Sequence, residues 1–118
     1  MTLEAFYEMV GGDLTSTVGR LGSTAMVERF LRMFAGDDSF DMLAAAMSAG
    51  DVQRAFRAAH TLKGVAANLG LERLRAAASE LTEALRGGDM ESAKELFPAA
   101  ETAYRQVYAG VDELETGA

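Results

Sequence analysis

One stretch of the chain combines a nucleophile, a cation and a small residue at helical spacing. It runs from Ala58 to Gly70 and holds the only histidine of the protein, His60, followed by Lys63 and Gly64. An imidazole is mostly neutral at neutral pH, so one ring nitrogen is available as a nucleophile. A lysine one helical turn away can neutralise part of the charge of an anionic group on that ring. The stretch therefore indicates a histidine that could carry a phosphoryl group.

The residues around His60 predict one long helix with an apolar face. Asp51 is a suitable N-cap, and Gly70 is a suitable residue just after a helix end, so the helix is predicted between them. At about 100° per residue, seven apolar residues fall within one arc of roughly 120°. These are Ala55, Ala58, Ala59, Leu62, Val65, Ala66 and Leu69. His60 lies about 160° from the centre of this arc, so its ring is predicted to face solvent.

Five residues lie near His60 on the solvent side or the flank of this helical wheel. They are Arg57, Lys63, Gly64, Ala67 and Asn68. Gly64 is the most informative, because a glycine inside a helix costs about 1 kcal/mol relative to alanine. The missing side chain would let a backbone or loop of another protein approach the imidazole. No cluster of acids that could hold Mg²⁺ and no Gly-rich phosphate loop accompanies His60, so partners would have to supply metal and acceptor.

Composition restricts the class of protein and the classes of partner. The 118 residues are enough for one domain with a hydrophobic core, and the residue types favour helices. The absence of cysteine excludes disulfides and thiolate metal sites. A formal net charge of −7 argues against nucleic acid as a partner. No apolar run is long enough for a membrane span and the start lacks a secretory signal, so the cytoplasm is the expected location.

The charge is distributed unevenly. Segment 51–88 holds six basic and four acidic residues, a net charge of +2, so the rest of the chain carries −9. Two interpretations remain open. The segment has ordinary solvated helix faces, or it forms a mildly basic patch around His60 that suits a phosphoryl group or an acidic partner.

The periodicity of apolar residues predicts an all-α fold. The expected helices cover about 2–10, 14–19, 24–34, 39–49, 52–69, 71–86 and 89–114. Short turns with glycine or aspartate join them, which favours antiparallel neighbours and an up-down four-helix bundle. We expect a single domain, 1–118, with a core bundle over about 37–114 and extra short N-terminal helices within 2–36. The N-terminal helices could cap the bundle or contact a partner.

Local signals also predict details of the helix ends. Pro98 lies inside the apolar stripe of the last helix and cannot donate a hydrogen bond to the carbonyl of Lys94. It either kinks that helix or begins a second one, and the kink is favoured. Asp38 or Ser39 is expected to cap the fourth helix. Residues 115–118 are expected to fray.

The central stretch resembles the motif of histidine phosphotransfer (HPt) domains, A-H-x-L-K-G followed by N-L-G. The matching residues are Ala59-His60-Thr61-Leu62-Lys63-Gly64 and Ala67-Asn68-Leu69-Gly70. The resemblance implies a four-helix bundle in which Nε2 of His60 accepts a phosphoryl group from a receiver-domain aspartate and passes it to another receiver. It also implies that Lys63 stabilises the charge of the phosphoryl group. The receiver would bring Mg²⁺, so no cofactor of the chain's own is expected.

Partners follow from the same resemblance. They would be response-regulator receiver domains and a hybrid sensor kinase, and the residues expected to meet them are Gly64, Arg57 and Ala67. The chain would be a monomeric phosphocarrier without kinase activity of its own, a free-standing shuttle. For Asn68, a turn or capping role and a role in orienting the imidazole both remain open.

The motif also has departures and rivals. Val65 and Ala66 stand where the family often has small polar residues, so a hydrogen bond from those positions to His60 is not expected. The dimerising histidine domain of a sensor kinase usually has an acidic residue directly after its histidine, whereas this chain has Thr61. One histidine with scattered carboxylates does not predict a metal site. The remaining alternative is a non-catalytic helical module that docks receiver or kinase domains.

Overall fold

The computed structural model describes residues 1–115, and over that part the fold is entirely helical. The helices are α1 (Leu3–Met9), α2 (Leu14–Leu21), α3 (Thr24–Gly36), α4 (Ser39–Ala49), α5 (Val52–Asn68), α6 (Glu72–Arg86) and α7 (Met90–Asp112). The prediction of an all-α fold is confirmed. Two helices end later than expected, because α2 continues to Leu21 and α3 to Gly36. No helix in the described part is both long enough and apolar enough to cross a membrane.

Helices α4 to α7 form the four-helix bundle. α5 packs against α4 and α6, and α6 packs against α7. Aromatic rings close the bundle between α4 and α7, since Phe40 stacks on Tyr104 with ring centroids 4.3 Å apart and an interplanar angle of 6°. Gly50, Gly70 and Gly88 occupy the left-handed region in the three short connections, where glycine avoids the strain of a side chain. The predicted up-down bundle is therefore confirmed.

Most helix starts are capped as the sequence predicts, with one exception. At the start of α5, the carboxylate of Asp51 accepts a hydrogen bond from the backbone N–H of Arg54 at 3.1 Å. At the start of α4, Asp38 holds the N-cap position but its side chain makes no capping hydrogen bond. Asp37 accepts the bond from the N–H of Ser39 instead, at 2.9 Å. Asp38 is thus the N-cap residue, as predicted, but the side chain that accepts from the start of α4 is that of Asp37.

The helices that precede the bundle pack on its side and on one end. α3 contacts α7, and the ring of Phe34 meets that of Tyr104 edge-on at 5.7 Å. In α1, Phe6 is fully buried, and Tyr7 donates a hydrogen bond from its hydroxyl to the carbonyl of Leu69 at 2.6 Å. Of the two roles left open for the N-terminal helices, the structure shows the first: they cover the end of the bundle at the α5–α6 turn.

The C-terminal part answers two sequence-based questions. α7 continues through Pro98, so the alternative of two separate helices is wrong. The end of the chain is less free than expected, because the N–H of Glu115 donates to the carbonyl of Met1 at 2.9 Å. The remainder of the predicted frayed segment, 116–118, lies outside the described residues.

Candidate functional site

The candidate site occupies one face of α5, and the opposite face of that helix is packed in the core. Four residues of the core face are completely buried: Ala55, Ala59, Leu62 and Ala66. Five residues of the other face are exposed: Arg57, His60, Gly64, Ala67 and Asn68. Lys63 is half-buried on the flank between the two faces. The helical wheel predicts these two faces of α5. It does so because 3.6 residues per turn is a local property of a helix and decides which residues share a face.

The imidazole of His60 lies against an aromatic ring one turn earlier in the helix. It stacks on Phe56 with the ring centroids 6.0 Å apart and an interplanar angle of 15°. Within residues 1–115, neither ring nitrogen of His60 takes part in a hydrogen bond. The side chain of His60 is exposed, and no donor among the described residues occupies the lone pair of its ring.

Helix α6 contributes two charged residues beside this ring pair. The guanidinium carbon of Arg86 lies 4.9 Å from the centroid of the Phe56 ring, a cation–π distance. Nε of Arg86 also donates to Oε2 of Glu83 at 2.8 Å. This hydrogen bond and the charge of Arg86 lower the pKa of the exposed Glu83, and the more distant charges of Lys63 and His60 act in the same direction. Glu83 is thus anionic at neutral pH and lies within electrostatic range of His60.

Lys63 is the cation of the motif, one turn after His60. Its ammonium has no salt-bridge partner among the residues that the structure describes, whereas Arg54 of α5 and Arg75 and Arg86 of α6 are each paired with a carboxylate. A half-buried lysine stem can keep its charged end at the surface by extending along the helix. The ammonium therefore remains available for an anionic group bound on the imidazole.

Gly64 leaves open space on the other side of His60. A Cβ atom built on Gly64 would have no neighbouring atom within 4 Å, apart from the backbone of its own helix. Side chains of a helix lean toward its N-terminus, so a side chain at Gly64 would lean over the turn that carries His60. The glycine is therefore not required by packing within the chain, and its absence of a side chain keeps the imidazole uncovered.

A groove between α4 and α5 begins next to the site. Its volume is about 610 Å³, and the residues that line it include Met42, Ala45 and Ala49 from α4 and Arg57 and Thr61 from α5. The side chain of Met42 is largely exposed, at 60 %. The groove is mainly apolar. Its charged lining residues are Asp51 and Arg54, which pair with each other, and Arg57, and it reaches the immediate neighbours of His60.

The end of α5 is fixed by the N-terminal helices. Asn68 is the last residue of α5, and its carbonyl accepts hydrogen bonds from Nε and Nη2 of Arg20 at 3.3 and 3.2 Å. Its exposed side chain makes no hydrogen bond to any of residues 1–115. Since it lies eight residues beyond His60, about 12 Å along the helix axis, the structure gives no support to a role in orienting the imidazole.

Sequence reasoning named His60 and its neighbours on α5 but missed Phe56, Glu83 and Arg86. Phe56 could have been found, because positions i and i+4 of a helix lie on one face. Glu83 and Arg86 could have been located only approximately. An antiparallel alignment of α5 and α6 across the turn at Gly70 brings this part of α6 near His60 but does not give the contacts. Within residues 1–115, no three carboxylate or imidazole side chains come together as a metal site would require.

Comparison with known proteins gives one match. A family model described as "Hpt domain" matches residues 25–116, from the start of α3 past the end of α7. The matched region covers well over half of the chain and includes His60, Lys63 and Gly64. No match was found among curated proteins or solved structures.

Proposed function

Since the chain belongs to the Hpt domain family, whose members are phosphocarriers that interact with receiver domains, we propose that His60 is the residue that carries the phosphoryl group here. The observation that carries this proposal is the position of the single histidine. It is exposed on α5, both ring nitrogens are free of hydrogen bonds within residues 1–115, and the open space above Gly64 lies beside it.

The reaction we propose is a transfer between two proteins. The lone pair of a neutral ring nitrogen, Nε2, attacks the phosphorus of an aspartyl phosphate on a receiver domain. The P–N bond forms, the P–O bond breaks, and the aspartate leaves as a carboxylate. The positive charge that the ring gains is removed when Nδ1 releases its proton to solvent. Attack by an aspartate of a second receiver reverses these steps. The receiver supplies Mg²⁺, and the ammonium of Lys63 balances part of the phosphoryl charge during and after transfer.

Docking of the receiver is proposed over the exposed face of α5. Gly64 and Ala67 present little side-chain bulk on one side of His60, so a receiver loop can come close to the ring. Arg57 lies on the other side, where it also lines the α4–α5 groove. An apolar groove with the cation of Arg57 at its rim suits an apolar surface with acidic neighbours, as a receiver's phosphorylation site would offer.

The test is transfer of labelled phosphate from a phosphorylated receiver to the purified chain. Because His60 is the only imidazole of the protein, the label should be acid-labile and absent from His60→Gln. Lys63→Met, which keeps the length of the side chain, should retain His60 labelling but transfer about tenfold more slowly, through the loss of one charge–charge contact. Label that persists in His60→Gln would contradict the proposal.

The alternative function, a module that docks receivers without transfer, gives a different result in the same assay. The wild-type chain would bind the receiver but take up no label, and His60→Gln would bind equally well. We favour transfer, because His60 and Gly64 are exposed on α5 with Lys63 on the flank beside them, and a module that only docks has no use for a reactive imidazole there.

A further inference from the structure

The imidazole of His60 is held by an aromatic ring, with no hydrogen bond to orient it. Reactive histidines are commonly oriented by a hydrogen bond to the ring nitrogen that does not react. Here the described residues provide no such bond, and the planar ring of Phe56 lies nearly parallel to the imidazole, 6.0 Å away between centroids. That distance and angle are typical of an offset aromatic pair. The orientation of the nucleophile thus depends on Phe56.

Helix geometry explains why Phe56 can do this. Side chains lean toward the helix N-terminus, so that of His60 leans over the turn that carries Phe56, four residues earlier. The residue four positions later would lean over His60 in the same way, but it is Gly64. The imidazole therefore has a ring on one side and open space on the other.

The Phe56 ring is itself held in place from α6. Arg86 is the last residue of α6, and its guanidinium lies over the Phe56 ring at 4.9 Å. The guanidinium is oriented in turn by Glu83, three residues earlier, through the 2.8 Å hydrogen bond to Nε. Phe56 is half-buried, so the ring has a core-facing side as well. The contacts run from Glu83 through Arg86 and Phe56 to His60.

We propose that Phe56 is a positioning residue for His60, an inference that rests on the proposed phosphoryl transfer. The stacked ring limits rotation of the imidazole and keeps its nitrogen-bearing edge toward solvent, where the receiver approaches. In-line transfer requires the attacking nitrogen to be aligned with the phosphorus, so a ring that turns freely reacts less often at each encounter. Arg86 acts through Phe56 by holding that ring in place.

The first experiment observes the stack directly in the unphosphorylated chain. His60 is the only imidazole, so its Cε1–H and Cδ2–H groups give single resonances in a carbon–proton correlation spectrum. Phe56→Leu removes the ring current and should shift these resonances, whereas Phe56→Tyr keeps a ring and should leave them near their wild-type positions. Phe30→Leu, the same change at another half-buried phenylalanine, on α3, is the matched control. Unchanged resonances in Phe56→Leu would overturn the proposal.

The second experiment measures single-turnover transfer from a phosphorylated receiver over a range of receiver concentrations. Phe56→Leu should lower the rate at saturating receiver about tenfold, while the concentration that gives half of this rate stays unchanged. Phe56→Tyr should restore most of the rate, and Phe30→Leu should transfer as the wild type does. Thermal unfolding of each variant shows that it is folded. A weaker apparent affinity with an unchanged maximal rate would overturn positioning and make Phe56 a docking contact.

Arg86 is tested with a double variant. If Arg86 acts through Phe56, Arg86→Met should slow transfer about threefold alone and should add nothing to Phe56→Leu. Additive losses would overturn this part and show that Arg86 acts on the phosphoryl group or the receiver. If the wild-type chain takes up no label, the proposed function fails and the positioning role falls with it. If it takes up label and Phe56→Leu is equally fast, only the positioning role is wrong.

Discussion

At the scale of single residues, access to His60 depends on a residue without a side chain. Gly64 is exposed in the middle of α5, and no atom of another element lies within 4 Å of a Cβ built there. The fold itself would therefore accept alanine or a larger residue, and helix propensity would favour it. A glycine at a position where a side chain would favour the fold agrees with the receiver docking proposed above.

Substitution of Gly64 should therefore separate stability from transfer. Gly64→Ala should raise the free energy of unfolding by about 1 kcal/mol. Gly64→Leu should keep or increase helix content, measured by circular dichroism, and slow receiver transfer by about tenfold or more, because its side chain leans over His60.

The matched control is Gly19→Leu, because Gly19 is also inside a helix, exposed and without neighbours within 4 Å of a built Cβ. It should gain stability in a similar way and transfer at the wild-type rate. Normal transfer by Gly64→Leu would remove the argument that this glycine provides clearance for a receiver.

At the scale of elements, a helical glycine in the last turn of α7 has the opposite surroundings to Gly64. Gly110 of α7 is buried, and a Cβ there would lie 2.8 Å from ring carbons of Phe6 and 2.7 Å from Cε of Met9. The end of Met9 could move aside, but Phe6 is fully buried. Helix α1 thus packs directly on the backbone of α7, and the glycine permits the close approach.

The same substitution at the two glycines should therefore have effects of opposite sign. Gly110→Ala should lower the free energy of unfolding by about 1 to 3 kcal/mol, since overpacking outweighs the gain in helix propensity. Gly64→Ala is the control, with its expected increase. Urea unfolding followed by circular dichroism measures both. Stabilisation by Gly110→Ala would show that α1 does not pack on α7 in this way.

At the scale of the whole molecule, the N-terminal helices are joined to the end of the helix that carries His60. Arg20 donates to the carbonyls of Ala67 and Asn68, and the N–H of Asp13 donates to the carbonyl of Gly70 at 2.9 Å. Tyr7 donates to the carbonyl of Leu69 from 62 residues away in sequence. These bonds satisfy carbonyls at the end of α5 that the helix itself leaves free, so the N-terminal helices are attached to the end of the helix that carries His60.

The buried phenol of Tyr7 predicts a stability change at alkaline pH. Burial raises the pKa of Tyr7 to about 12 in the folded chain, whereas an unfolded tyrosine has a pKa of about 10. The folded-state pKa is the higher one, so the folded chain holds the phenol proton more tightly. The contribution of Tyr7 to the free energy of unfolding is therefore complete below about pH 10 and is lost as the pH rises toward about 12. The free energy of unfolding should fall more steeply across this window in the wild type than in Tyr7→Phe.

At neutral pH, Tyr7→Phe should also be less stable by about 1 kcal/mol, because one buried hydrogen bond is lost. The control is Tyr108→Phe, since Tyr108 is 54 % exposed. It should follow the wild type at both neutral and alkaline pH. Equal alkaline slopes for the wild type and Tyr7→Phe would show that the phenol ionises as easily in the folded chain as in the unfolded one.

The sequence alone was sufficient to predict the helices, the bundle and the two faces of α5. Periodicity, caps and glycine turns act over a few residues, so they determine which side of a helix is apolar and where it ends. The exposure of His60 and Gly64 follows from that local geometry. The roles assigned to Lys63, Arg57 and Ala67 stay predictions, because position on a face does not by itself establish what a residue does.

Only the tertiary structure decided which residues meet across elements. The position of Arg86 and Glu83 of α6 beside the Phe56–His60 pair depends on the rotation and register of two packed helices. The attachment of Tyr7 to the end of α5 depends on how a short helix docks on a turn distant in sequence. Such contacts are set by the packing of many side chains at once, which no local pattern contains. The sequence therefore pointed to His60 as the proposed phosphoryl carrier, and the packing placed Arg86 of α6 against the ring beside it.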